Sequence, residues 1–503
     1  MYLKTRRFLI STLFLTLAVN ALLLLELPHL FQAAFVYVLA GLIPGFLLVD
    51  ALVGQSEAAP TPWERLLYAI GAGYGVIVVV MTALSFLPGP LATWQTLLAF
   101  NLIIALLLGV IFLLARKRPR YPRPTPALFP ELALQNGDAR TWFWLGALTL
   151  LLVAGFLRFT NLGYAEYQGD EARAALRAAA IIQGVDDVLL IHKKGPTEIV
   201  VPAVVYSITG QLTEASARMA FAIANIAGLF AVFLLGWRLA GPLVGWVAAM
   251  LLALDGYFIG FSRIVQYQSI VFLCSVLVVL ALYRLIVNPL AIGRYLTLAA
   301  ILLATGLLSH YEAALVAVPA LFLLLVLLWQ RPTRRWEILG GALAAALVGA
   351  VMLALFYLPF VRHPHFSATY TYLTDRRIGG SFPYNNLEDF FLRTTVYSTT
   401  YYVILAISAT ILALYYAYRQ GMQRLWAILL SLTAGGVMLL TFWNPTWLRM
   451  GDTDLIVLPI ALFIGLAIVT PKLQPSERML WLWFGFVMIL AFFFTEKPRT
   501  HVY

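Results

Sequence analysis

The sequence predicts an all-α polytopic membrane protein with about 15 transmembrane helices, and three observations carry that expectation. Of the 503 residues, 62% are hydrophobic and 11% are charged, whereas a soluble globular domain is about 45–50% apolar and about 25% charged. A water-soluble fold of this length could not cover so much apolar surface. The apolar residues also gather in runs of roughly 20, the length that crosses the hydrocarbon core of a bilayer. Between these runs, Lys and Arg cluster in alternate loops, the pattern that orients membrane proteins. The formal charge of +11 would suit nucleic acid if it were collected on one domain. It is instead spread in short patches beside apolar runs, which excludes nucleic acid as a partner and points to lipid headgroups. The single cysteine, Cys274, lies inside an apolar run and rules out an intrachain disulfide.

The runs fall at 8–27, 30–53, 66–88, 95–115, 142–160, 218–237, 243–261, 268–287, 295–309, 313–330, 337–360, 396–418, 425–443, 454–470 and 479–495. The first follows Lys4, Arg6 and Arg7 like a signal peptide. It ends at Glu26-Leu27-Pro28 without a small-residue cleavage site, so it reads as a retained span. The loop 116–141 opens Arg116-Lys117-Arg118-Pro119-Arg120 and is Pro-rich. It divides an N-terminal four-helix module, 1–115, from a larger region, 142–503. Arg331, Arg334 and Arg335, then Arg419 and Arg424, then Lys472 and Arg478 mark later loops. With all of these in the cytoplasm, the alternation closes across every span. The segments 161–217, 261–267, 310–312, 361–395, 444–453 and 496–503 then lie outside.

The first long outer loop carries the densest chemistry. It reads Gly163-Tyr164-Ala165-Glu166-Tyr167-Gln168-Gly169-Asp170-Glu171-Ala172-Arg173, and a helix is predicted from there to Gly184. Asp170 and Glu171 fall in its first turn, where acidic side chains suit the helix dipole and could serve only as a cap. Asp170, Arg173 and Arg177 share a face at i, i+3 and i+7. A carboxylate flanked by arginines stays ionised, as a general base must. Downstream, His192-Lys193-Lys194-Gly195-Pro196-Thr197-Glu198 precedes the apolar stretch Ile199–Ile208, which is too short to span and reads as an interfacial helix. Adjacent lysines before Gly-Pro suit a phosphate, and equally a lipid headgroup.

This ordered set resembles the glycosyltransferase C (GT-C) superfamily, and most closely glycosyltransferase family 39, the protein O-mannosyltransferases and the lipid A aminoarabinose transferases. Asp170-Glu171 match its Asp-Glu motif, and Lys194-Gly195-Pro196 match its Lys-Pro-Pro turn with glycine for the first proline. Ser262-Arg263 and the terminal Pro498-Arg499-Thr500-His501-Val502-Tyr503 also look like family features. The resemblance covers about residues 142–503. The first four spans are not part of the usual family core, and relatives continue beyond the point where this sequence stops.

The resemblance implies an extracytoplasmic site in a multi-pass, prokaryotic plasma-membrane enzyme. A sugar would pass from a polyprenyl-phosphate donor to a protein, lipid or cell-wall acceptor by a single inverting displacement, with no cofactor. Asp170 would be the base and Glu171 would position a substrate. Lys193, Lys194 and Arg263, with Arg376 or Arg377, would hold the phosphate, and Arg173 would also bind substrate. Asp255, within a span, could touch the acceptor or pair with Arg263. His310, Tyr311 and Glu312 cluster at an outer turn and could line the site. Tyr164, Tyr167, Tyr370, Tyr372 and Tyr384 could stack on sugars or form an interfacial belt. Asp452-Thr453-Asp454 has the Asp-x-Asp form that binds Mg²⁺ or Mn²⁺ in other transferases. The competing readings are a transporter or flippase of lipid-linked sugar and a non-catalytic membrane scaffold.

Overall fold

A computed structural model describes residues 2–54, 59–117, 137–375, 386, 400–444, 446–451 and 453–494. The described residues are almost entirely helical, with one short hairpin. Among them, nine helices are long and apolar enough to cross a membrane, or ten if the bent pair Pro242–Leu254 and Gly256–Ser262 is one span. Of the other expected spans, 8–27 and 142–160 fall on helices that run Tyr2–Leu23 and Gly137–Phe159, and 454–470 falls on the shorter apolar helix Val457–Val469.

The chain forms two compact units. The first holds residues 1–254, 258–314 and 327–363. Its helices are α1 (Tyr2–Leu23), α2 (His29–Tyr37), α3 (Ile43–Val49), α4 (Pro62–Leu84), α5 (Thr93–Lys117), α6 (Gly137–Phe159), α7 (Gly169–Ile182), α8 (Thr197–Thr209), α9 (Glu214–Ala240), α10 (Pro242–Leu254), most of α11 (Gly256–Ser262), α12 (Gln268–Val287), α13 (Ile292–Ser309) and α14 (Arg335–Arg362). Helices on both sides of the Pro-rich loop belong to this unit, and 118–136 of that loop lie outside the described residues. The second unit holds residues 255–257, 315–326 and 364–503. There, Thr400–Arg419, Arg424–Trp443, Val457–Val469 and Pro475–Phe493 pack around Ile460, Ile464, Leu414, Ala434 and Met488.

Within the first unit, small residues set the closest helix approach. A Cβ on Gly45 would overlap the Ala69 carbonyl, and one on Gly73 would press on Gly41. Bare backbone lets α3 and α4 lie against each other, the usual device where lipid supplies no hydrophobic drive for helix pairing. Elsewhere Phe143 of α6 packs on Phe233 and Trp237 of α9, at 5.6 and 4.9 Å between rings.

The loops meet in two groups. Leu91 donates to the Ile182 carbonyl, Thr93 to Ser207, and His29 meets Ser216. All six lie outside on the charge-derived topology. Arg284 donates to Ala59 and Arg334 to Pro289, all assigned to the inner side.

At the inner group, a buried ion cluster ties three helices. Glu64 of α4 is 1% exposed and pairs with Arg238 of α9 at 2.5 Å and Arg284 of α12 at 2.8 Å. Thr61 caps the same helix by a reciprocal bond with Glu64. Removing one partner of a buried cluster strands the other charges, at a cost of about 3–5 kcal/mol. Glu64→Ala is therefore expected to lower the unfolding temperature of detergent-purified protein sharply. The exposed pair Arg334–Glu337 serves as comparison, since breaking such a pair costs at most about 1 kcal/mol. Equal melting of Glu64→Ala and Glu337→Ala would contradict this account.

Candidate functional site

Helix α7 sends its two acidic residues in different directions. Neighbours on a helix diverge by roughly 100°, and here one side chain faces the protein and the other faces out. Glu171 is 1% exposed. Its oxygens take a two-pronged ion pair from Arg218 of α9, with Nε and Nη2 each 2.9 Å away. Glu171 also accepts from the Gln168 and Val265 N–H groups, at 3.2 and 2.8 Å. Arg218 spends its remaining donors on the Leu162, Ala165 and Glu166 carbonyls. Asp170 keeps 43% of its side chain exposed, with Arg173 at 3.4 Å and the Gln266 amide at 3.5 Å. The helix stops where expected, at Gly184 with φ +78°, and a Cβ there would overlap the Gly89 backbone.

The lysine turn docks on the end of α13. A Cβ on Gly195 would overlap the Leu308 carbonyl, so glycine at this place in the Lys-Gly-Pro turn permits the contact. Thr197 donates to the same carbonyl at 3.0 Å. Lys194 then reaches Glu198, its ammonium 3.3 and 3.4 Å from the two carboxylate oxygens, and lies 4.9 Å from the Tyr267 ring centre. His192 stands 3.4 Å from Glu198, and its other ring nitrogen faces Arg177. Arginine only donates, so Nδ1 accepts and the ring proton sits on Nε2, toward Glu198. Burial pushes the His192 pKa down, against the pull of Glu198, and keeps the ring neutral. Burial works against the Glu198 charge too, but His192 and Lys194 outweigh it and hold the carboxyl below its ordinary range.

The two motifs meet at the turn between α11 and α12. Glu171 fixes the Val265 N–H, and Glu198 fixes the Tyr267 N–H at 3.2 Å. Gln266, held between these two buried carboxylates, reaches Asp170. Tyr267 stacks flat on His310, with ring centres 3.7 Å apart, and its hydroxyl is 3.3 Å from Glu312. Tyr311 leans on His310 at 3.9 Å. Asp170, Lys194, His310, Tyr311 and Glu312, separate in the sequence reading, thus gather about one turn.

Other expectations need correction. Glu171, expected beside a substrate, is enclosed by framework donors, with each oxygen already accepting two hydrogen bonds. Arg263 gives its guanidinium to the Leu157, Thr160 and Asn161 carbonyls, at 2.8, 2.9 and 3.2 Å, and lies over Tyr164. It caps the carbonyl end of α6, where a cation balances the helix dipole, instead of facing Asp170 with the lysines. Arg177 turns to His192, leaving Arg173 as the arginine on Asp170. Asp255 falls at the break between α10 and α11, not inside a continuous span, where an Asp-Gly pair favours local bonding over helix. It groups with the second unit. Lys193 is exposed, and Tyr164 lies against Arg218 as well as Arg263. In the second unit, Asp454 accepts from the Ile456 N–H at 3.1 Å and pairs with Arg449 across the hairpin. Tyr370 is exposed. Arg376, Arg377, Tyr384, Asp452 and the terminal 498–503 lie outside the described residues. Sequence reasoning missed Arg218, Glu198, His192, Gln266 and Tyr267. A charged residue inside an apolar run was the available signal for Arg218.

Residues 193–359 match the family described as dolichyl-phosphate-mannose-protein mannosyltransferase. The match supports a GT-C glycosyltransferase assignment of the family-39-like kind. With the apolar helices, it supports a membrane glycosyltransferase that is mannosyltransferase-like. The matched stretch holds Lys193, Lys194, the 263–267 turn and His310–Glu312, while Asp170 and Glu171 precede it. No curated protein and no solved structure matches the chain.

The divergence of the acidic pair has a direct test in stability. Glu171→Gln leaves Arg218 buried without its counter-charge and is expected to cost about 3–5 kcal/mol. Asp170→Asn changes an exposed group and is expected to stay within about 0.5 kcal/mol of wild type. Thermal unfolding of both purified variants reads the difference, and equal losses would overturn the division of roles.

Proposed function

We propose that this protein transfers a sugar from a polyprenyl-phosphate donor to an acceptor hydroxyl at the extracytoplasmic face, inverting the anomeric centre. One observation carries the reading: an exposed carboxylate, Asp170, and a partly exposed ammonium, Lys194, lean on consecutive residues of one braced turn. Asp170 takes the proton as the acceptor oxygen attacks the anomeric carbon. The bond from that carbon to the phosphate oxygen breaks on the opposite side, and its electron pair leaves with the phosphate. Lys194, with Lys193 and Arg173, stabilises the charge that develops there. Apolar helices supply the surface for the prenyl chain. Arg173 stands 3.4 Å from Asp170 at the same exposed helix start.

Asp170→Asn keeps the size of the side chain but removes its useful basicity. Turnover is expected to fall by about 10² or more. The comparison of glycans and glycolipids by mass spectrometry, in cells expressing wild type, Asp170→Asn or no protein, identifies the product and reads the loss together. Normal product from Asp170→Asn would end the base assignment.

Sidedness is tested separately. The native Cys274 is buried, so introduced cysteines report cleanly. Val185→Cys is expected to react with an impermeant thiol reagent in intact cells, and Thr333→Cys to react only after lysis. The reverse pattern would place the site on the cytoplasmic face.

A further inference from the structure

The two carboxylates that brace the 263–267 turn are held differently. Glu171 and Arg218 are both 1% exposed and joined by two parallel bonds. Glu198 is 4% exposed, but its partner Lys194 keeps 26% of its side chain in the open. Glu198 also accepts the Tyr267 N–H at 3.2 Å, and the His192 ring stands 3.4 Å away. Lysine can therefore leave without stripping the buried carboxylate of every donor, the situation that makes lone buried polar groups costly. An ammonium on a flexible four-carbon stem can make that move, whereas the rigid fork of Arg218 is fixed in place.

We propose that Glu198 is a built-in counter-anion for Lys194, exchanged for the substrate's phosphate in each cycle, so that the spent lipid phosphate is displaced rather than retained. The inference rests on the phosphate role given to Lys194 above. A transferase must let go of the lipid phosphate it creates, and a bare lysine at that place would hold it. With Glu198 beside it, the lysine has a partner to return to. The sign of the effect separates this role from a structural one. A phosphate about 6 Å from an ionised carboxylate, at an effective dielectric near 20, is repelled by an amount equal to roughly a hundredfold in affinity. Removing that charge must tighten anion binding, while loosening a purely structural brace must weaken it.

The test uses farnesyl phosphate, a short polyprenyl monophosphate, titrated calorimetrically into the whole chain in detergent micelles. Glu198→Gln, which keeps an acceptor for the Tyr267 N–H, is expected to bind it at least about tenfold tighter than wild type, allowing for screening of the full repulsion. Uncharged farnesol should bind both proteins alike. Lys194→Ala should bind farnesyl phosphate more weakly. If Lys194→Ala binds as wild type does, the phosphate role of Lys194 fails and this inference fails with it. If Lys194→Ala is weakened but Glu198→Gln is unchanged or weaker, only the counter-anion role falls. If neither Glu198→Gln nor Glu198→Ala folds, Glu198 is structural and the inference is overturned.

Discussion

The buried pair of Glu171 and Arg218 is the constraint on which the rest of the site depends. It joins the amphipathic helix of the first loop to a membrane helix and collects three loop carbonyls around one guanidinium. It also fixes the Val265 N–H. An ion pair this deep has to be fully hydrogen-bonded, because both desolvation and any missing partner are expensive. Every oxygen of Glu171 is accordingly occupied. The neighbouring Asp170 gains its exposure from the same arrangement, since anchoring one residue of the helix orients the next one outward.

Around that anchor the protein uses charge in three distinct ways. Arg263 and Thr61 close helix ends. Glu64, Arg238 and Arg284 tie helices together away from the loops that carry the motifs. Asp170, Arg173 and Lys194 keep exposed surface and remain available to a substrate. Burial separates the groups: an enclosed, saturated charge holds structure, and a half-open one can do chemistry.

The sequence made the membrane class legible because lipid imposes a length and a composition that few other environments do. The helix from Asp170 to Gly184 was also readable, since its acidic start and glycine stop are local signals. Helix breaks were less readable, since one such as that at Asp255-Gly256 divides an apolar run without changing its composition. Partner choice was the least readable. The i+7 spacing placed Arg177 near Asp170, but His192, fifteen residues further on, takes its guanidinium. Arg263 looked free for phosphate because nothing in the sequence shows that the carbonyl end of α6 lies beside it. Glu171 and Glu198 each bond a backbone N–H of the same turn, a relation between distant segments that no periodicity can express.

Helix α9 carries two ion-paired arginines twenty positions apart, buried Arg218 and half-buried Arg238, near opposite ends. At about 1.5 Å per residue they stand roughly 30 Å from each other, the thickness of a bilayer's hydrocarbon core. Arg218 is locked to the motif loop and Arg238 to the cluster on Glu64. The helix therefore behaves as a strut pinned at both ends and cannot slide along its axis to suit a thinner or thicker membrane. Lipid must stretch or compress to meet the protein, and the separation of the Asp170 helix from the Glu64 cluster is set by the length of one strut rather than by the bilayer around it.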